Sequence, residues 1–208
     1  MTVPPERLQR WLAGFATRHG DPTTRYDGDT VVLLAPDGAE ATVEVPFPPL
    51  SLATGHDPGA QVLTGLVEHT LRPRTVGVLL VRLGGYAAGV FEDGRLVGSK
   101  TGSRPVHGRA AAGGWSQQRF ARRREGQAAL ALGAAADAAA GVLLSRPLDA
   151  VVVGGDRSAV DAVLADRRLA PLRGLLSGRL LDVPDPRLKV LQAAPYRDVW
   201  IRVLEPQR

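Results

Sequence analysis

Val76-Gly77-Val78-Leu79-Leu80-Val81-Arg82-Leu83-Gly84-Gly85-Tyr86-Ala87-Ala88-Gly89-Val90-Phe91-Glu92-Asp93-Gly94-Arg95-Leu96-Val97-Gly98-Ser99-Lys100 is the stretch that decides the fold. Val76–Leu83, Tyr86–Phe91 and Arg95–Lys100 are rich in β-formers, and Gly84-Gly85 and Asp93-Gly94 stand between them. Gly-Gly and Asp-Gly are favoured two-residue hairpin turns, because their backbone twist matches that of the strands they join. The stretch therefore predicts a three-stranded antiparallel meander.

Downstream, the third strand enters a basic, glycine-dotted stretch from Thr101 to Trp115. Ser116 can cap a long helix from about Gln117 to Leu144. Gly126, Gly133 and Gly141 each weaken that helix by about 1 kcal/mol relative to Ala, so packing must hold it. Leu148–Val153 is an almost unbroken apolar run, which predicts a strand buried on both faces. Gly154-Gly155-Asp156 ends it and leads into a helix near Ser158–Ala165, and strands are expected at Leu188–Leu191 and Val199–Leu204.

Upstream, Leu8, Trp11, Leu12 and Phe15 fall at the i, i+3, i+4, i+7 spacing of a helix with one buried face. Strands at Thr30–Ala35 and Ala41–Val45 flank the turn Pro36-Asp37-Gly38, and Pro46-Phe47-Pro48-Pro49 ends that unit. A short helix near Gln61–Thr70 precedes Arg72-Pro73-Arg74, the predicted boundary. The chain thus reads as α+β: an N-terminal accessory segment over 1–72, and over 73–208 a mixed sheet with an antiparallel meander flanked by helices.

The 208 residues are 44% hydrophobic and 23% charged, which excludes disorder as the main state. With no cysteine, a disulfide framework, a thiol nucleophile and a Cys-ligated zinc are excluded. No signal-peptide order and no unbroken apolar run of about 18 residues is present, so a cytoplasmic protein without a membrane partner is expected.

Net charge is +5, and 24 of the 26 basic residues are arginine, a bias that fits a GC-rich genome. Position says more than number. Lys100, Arg104, Arg109, Arg119, Arg122, Arg123 and Arg124 occur within 25 residues that hold no acid. Subtracting those seven leaves the rest of the chain at −2. An anionic partner would be drawn to this window.

A strand thus enters a roughly 14-residue loop of Gly and Arg, and a basic helix leaves it; loops of this length are usually functional or disordered. Gly113-Gly114 lets the backbone pass close to a bulky ligand, and free amides at the helix start favour an anion. Trp115 could stack on a terminal base, or anchor the loop onto the domain. Phe120 reads as core, and His107 as a phosphate contact or an exposed side chain. The four histidines lack ligand spacing, so no metal is expected. Ser177 is misplaced for a nucleophile elbow, and Gly154-Gly155-Asp156 has no phosphate-loop pattern around it.

Gly113-Gly114-Trp115-Ser116-Gln117-Gln118-Arg119-Phe120-Ala121-Arg122-Arg123-Arg124 resembles the Gly-Gly-Gln loop and following helix of the middle domain of eukaryotic and archaeal class-one release factors. Arg119-Phe120-Ala121-Arg122 follows the glycine pair at the shared distance. The upstream hairpins and the Val151-Val152-Val153-Gly154-Gly155-Asp156 turn keep that domain's order. The chain is most similar to the actinobacterial-type branch of the Vms-like release factors, over about residues 74 to 204.

The resemblance implies a cofactor-free peptidyl-tRNA hydrolase that rescues obstructed large ribosomal subunits in ribosome-associated quality control. Its partners would be the large subunit and peptidyl-tRNA, with no DNA. Class-one factors place Gln directly after the glycines, where this chain has Trp115. Vms-like proteins carry a displaced Gly-x-x-Gln, which Gly114-Trp115-Ser116-Gln117 fits. Gln117 is then the catalytic choice and Gln118 the fallback, supported by Gly113 and Gly114. Lys100, Arg104, Arg109, Trp115, Arg119, Arg122, Arg123 and Arg124 would hold RNA. Cleavage of an RNA phosphodiester near the acceptor end, or ribosome binding without catalysis, are the rival outcomes.

Overall fold

The computed structural model describes residues 1–51, 58–82, 84–103 and 116–206, with the backbone alone at 58, 60 and 116–125. The chain folds as two compact units, Met1–Arg72 joined by the segment from Arg197 onward, and Pro73–Tyr196.

The first unit holds β1 (Thr2–Val3), α1 (Pro5–His19), β2 (Thr23–Tyr26), β3 (Thr30–Leu34), β4 (Glu40–Glu44) and α2 (Pro58–Leu71). The second holds β5 (Thr75–Arg82), β6 (Gly85–Glu92), β7 (Arg95–Ser103), α3 (Ser116–Leu143), β8 (Ala150–Gly155), α4 (Arg157–Leu164), a 3-10 helix over Arg167–Leu175 and α5 (Leu188–Gln192). The last strand, β9 (Val199–Leu204), returns to the first unit.

The first sheet runs β1-β9-β4-β3-β2, with every neighbour antiparallel. Leu8, Leu12 and Phe15 of α1 and Val62 and Leu66 of α2 share its core with Val31, Leu33, Ala41, Val43, Val199 and Ile201. The helical spacing read in α1 is therefore the buried face. Because β9 pairs with β4 from Glu40↔Leu204 to Val43↔Ile201, the unit closes only when the far end of the chain arrives. The expected single boundary near residue 72 thus has a second partner at Arg197 that the sequence reading placed in the other domain.

The second sheet runs β7-β6-β5-β8: the expected meander, plus one strand parallel to β5. Asp93 and Gly94 both take positive φ, 49° and 83°, as the tight turn they were expected to form requires. The other hairpin is offset by one residue. Arg82 pairs with Gly85, so Gly85 lies in the strand rather than the turn.

Strand β8 is buried from Ala150 to Gly154, as its unbroken apolar run predicts. Leu79, Val81, Ala88, Val90, Val151 and Val153 pack with Ala135, Ala139 and Leu143 of α3 and Val160 and Val163 of α4. The alternate face takes Leu191 of α5 over Gly89. Leu188–Leu191, expected to be a strand, is helical, with Leu191 buried and Leu188 exposed. Three apolar residues in a run of four fit either period, and here the Leu191 side chain inserted over Gly89 decides.

Gly126–Leu143 of α3 is long and apolar enough to cross a membrane by length and composition, with mean hydropathy 1.3. In this fold Ala135, Ala136, Ala139 and Leu143 of that segment belong to the core of the second unit.

Candidate functional site

The segment flagged by its charge starts on β7 and ends on α3. Gly102 pairs with Tyr86 and Ser103 with Gly85, so β7 delivers the chain at the β5–β6 hairpin end of the sheet. The Tyr86 ring lies so close to Gly102 that a β-carbon there would overlap it, and glycine is what lets β7 pass under the ring. Lys100 lies opposite Ala88, and its side chain is exposed.

Arg104, His107, Arg109, Gly113, Gly114 and Trp115 lie outside the described residues. Ser116, expected as the cap just before the helix, is itself the first residue of α3. Gln117, Gln118, Arg119, Phe120, Arg122, Arg123 and Arg124 occupy its first three turns. At 100° per residue, positions 117, 121 and 124 fall on the helix stripe that Ala128, Ala131 and Ala135 continue, whereas 118 is rotated away by a further 100°. The two glutamines therefore occupy different stripes of one helix.

The strand-to-helix turn after β8 is committed to the fold. Gly155 takes φ 98°, and a β-carbon there would overlap the Val81 carbonyl oxygen. The Gly155 amide donates to Leu181 O at 2.9 Å and the Asp156 amide to Val81 O at 2.8 Å. Both amides that a phosphate would need are used within the protein. Arg82, at the end of β5, donates from Nη1 to Val183 O at 2.7 Å and holds Nε 3.6 Å from Asp156 Oδ1. Nothing in the sequence singled out Arg82, since its partners come from segments more than 70 residues away.

The described histidines serve the first unit. His19 Nδ1 lies 2.8 Å from Asp37 Oδ2, and His69 Nε2 lies 2.9 Å from Pro46 O. Ser177 belongs to a segment that bridges to β8, its amide donating to Val151 O at 2.9 Å, and forms no nucleophile elbow. Among the described residues no three metal-ligating side chains gather.

Residues 74–204, more than half of the chain, match the family described as Actinobacteria/chloroflexi VLRF1 release factor. The chain belongs to this release-factor family. Among solved structures it is similar to the archaeal translation termination factor aRF1, at 17% identity and a TM-score of 0.40, over 78% of this chain and 47% of that one. It is also similar to the Vms1 mitochondrial localization core, at 10% identity and a TM-score of 0.43, over 97% of this chain and 82% of that one. The chain spans about half the length of the archaeal factor. No curated protein matches it.

Proposed function

We propose that this release-factor family member is a cytoplasmic peptidyl-tRNA hydrolase that frees nascent chains from stalled large ribosomal subunits. The observation that carries the reading is a glycine-dotted basic stretch of sequence between β7 and α3, with no carboxylate from Lys100 to Arg124, in a chain of this family.

The ester that joins a peptide to the terminal ribose is already activated. Water adds to its carbonyl carbon, the bond to the ribose oxygen breaks, and that oxygen leaves with a proton as a free hydroxyl. Such a step needs a placed water and donors for the developing oxyanion, not an acid–base pair. Each well-placed donor of that kind is worth roughly 3–4 kcal/mol. Holding water, ester and ribose hydroxyl together lowers the barrier further through proximity. An uncharged amide at Gln117 can orient the water without titrating, with Gln118 as the alternative. Lys100 and the arginines would neutralise the phosphates of the acceptor end.

Purified stalled large subunits that carry labelled peptidyl-tRNA provide the test. Free peptide together with tRNA that keeps its complete 3′ end is the expected result. Peptide that still bears nucleotides would replace hydrolysis of the ester with cleavage of RNA. Binding with neither product would leave a docking factor without catalysis.

A further inference from the structure

A cavity of about 310 Å³ opens where the β5–β6 hairpin end, the middle of α3 and the first turn of α4 meet. Val81, Tyr86, Ala131 and Leu132 form its apolar walls, and Arg82 and Ser158 supply its polar edge. The space exists because α3 presents alanine at 128, 131 and 135, where longer side chains would fill it. Nothing in the proposed hydrolysis uses it.

The geometry points to a pocket for one unstacked nucleobase of single-stranded RNA, a site that holds an internal nucleotide of the strand whose 3′ end carries the ester. This assignment rests on the proposed reading that the chain handles a tRNA acceptor end. Three features select a base over other occupants. The volume sits at the lower end of the range for small-molecule pockets, enough for one planar heterocycle and too small for a packed helix. Tyr86 places an aromatic ring among apolar walls, and stacking on such rings is the usual way single-stranded bases are held. The polar edge pairs the Arg82 guanidinium with the Ser158 hydroxyl, able to donate to and accept from the rim of a base.

Charge agrees with this. Asp156 Oδ1, 3.6 Å from Arg82 Nε, disfavours a bare phosphate inside the pocket. Along the sequence, the acid-free basic window ends at position 124, four residues before Ala128. A neutral base in the pocket with its phosphates met by that window fits this order. Along α3, position 117 stands about 16 Å from Ala128. The pocketed nucleotide is therefore an internal one, not the nucleotide that carries the ester.

The test uses the full chain and a fluorescent single-stranded RNA pentamer ending in CCA, with each base in turn replaced by an abasic residue. Anisotropy titrations should show one internal position where base loss weakens binding roughly tenfold, the scale of one stacked base, with smaller effects elsewhere. Ala131→Phe, which fills the cavity, should weaken the intact pentamer by a similar factor and erase the penalty at that position. Tyr86→Leu keeps an apolar wall without the ring and should also erase it, which covers the case where the filled variant fails to fold.

An equal penalty at every position, or one that survives in both variants, overturns the pocket. So does Ala131→Phe that abolishes docking on subunits while RNA binding stays intact, since the occupant is then protein. The release assay keeps the two claims apart. Positional coupling without peptide release keeps the pocket and removes the hydrolase; release with no positional coupling does the reverse.

Discussion

The two halves of α3 are built from opposite materials. From Ala135 to Leu143 the helix carries its small and apolar side chains into the core, with Ala138 and Ala139 fully buried. From Ser116 to Arg124 its sequence holds two glutamines and four arginines, and follows a stretch with no acid. Alanine has the highest helix propensity, so the inner half forms readily and lies flat on the sheet. The outer half is where RNA chemistry is proposed. Stability and activity should therefore separate along a single helix.

Gln117→Ala tests the outer half most severely. Peptide release from stalled subunits should fall by roughly 10²–10³-fold, the scale of losing one oriented donor at a reacting carbonyl. Affinity for the subunit and the melting temperature should both stay as they were. Gln118→Ala should change little, because position 118 falls on another stripe of the helix. If Gln118→Ala stops release and Gln117→Ala does not, the displaced-glutamine reading fails.

Leu143→Ala is the matching test of the inner half. Leu143 is 1% exposed within the core cluster of the second unit, so truncation should cost roughly 2–4 kcal/mol. Thermal unfolding should move down by several degrees, while release per folded molecule is unchanged. A loss of release without a loss of stability would show that the two halves are coupled.

Replacing Arg122, Arg123 and Arg124 together should leave release at saturating subunit concentration intact and weaken binding. If all three touch phosphates of a single strand, the slope of log affinity against log salt should become shallower by about 2. An unchanged slope would move the phosphate contacts to Lys100 and the loop arginines.

Legibility followed the range of the interactions. Asp93-Gly94 and the apolar run of β8 act locally, and the turn and the buried strand appear where their residues put them. β9 was recognisable as a strand, yet its partner β4 lies some 160 residues away and nothing in Val199–Leu204 names it. β2, Thr-Thr-Arg-Tyr, has no apolar alternation and is a strand because β3 pairs with it from Thr23↔Leu34 to Tyr26↔Val31. The candidate site divides the same way. Its basic window and glutamines stand in one contiguous stretch, whereas the cavity joins Arg82, Ala131 and Ser158 from three separate stretches. Alanines that read as helix filler become walls only once the hairpin end and α4 are beside them.

The smallest effect sharpens the inner half. Arg168 donates to Asp166 from Nε at 3.0 Å and Nη2 at 2.7 Å, and its backbone amide donates to Asp166 Oδ1 at 2.9 Å. Nη2 also lies 2.8 Å from Asp137 Oδ1 on α3, so this arginine ties the start of the 3-10 helix to the packed part of α3. Those bonds, the guanidinium first, hold the Asp166 carboxyl at about 2, below the ordinary 3.8. A carboxyl whose folded value is lowered stabilises the fold above its unfolded value and loses that contribution as pH falls. Asp166→Asn should therefore melt slightly lower than the parent chain at pH 7, and the gap should close between about pH 4 and pH 2. Asp137→Asn removes only the α3 side of the contact and should show a smaller gap. If its gap equals that of Asp166→Asn, the tie to α3, not the cap on the 3-10 helix, supplies the stability, and the inner half is held by charge as well as by alanine packing.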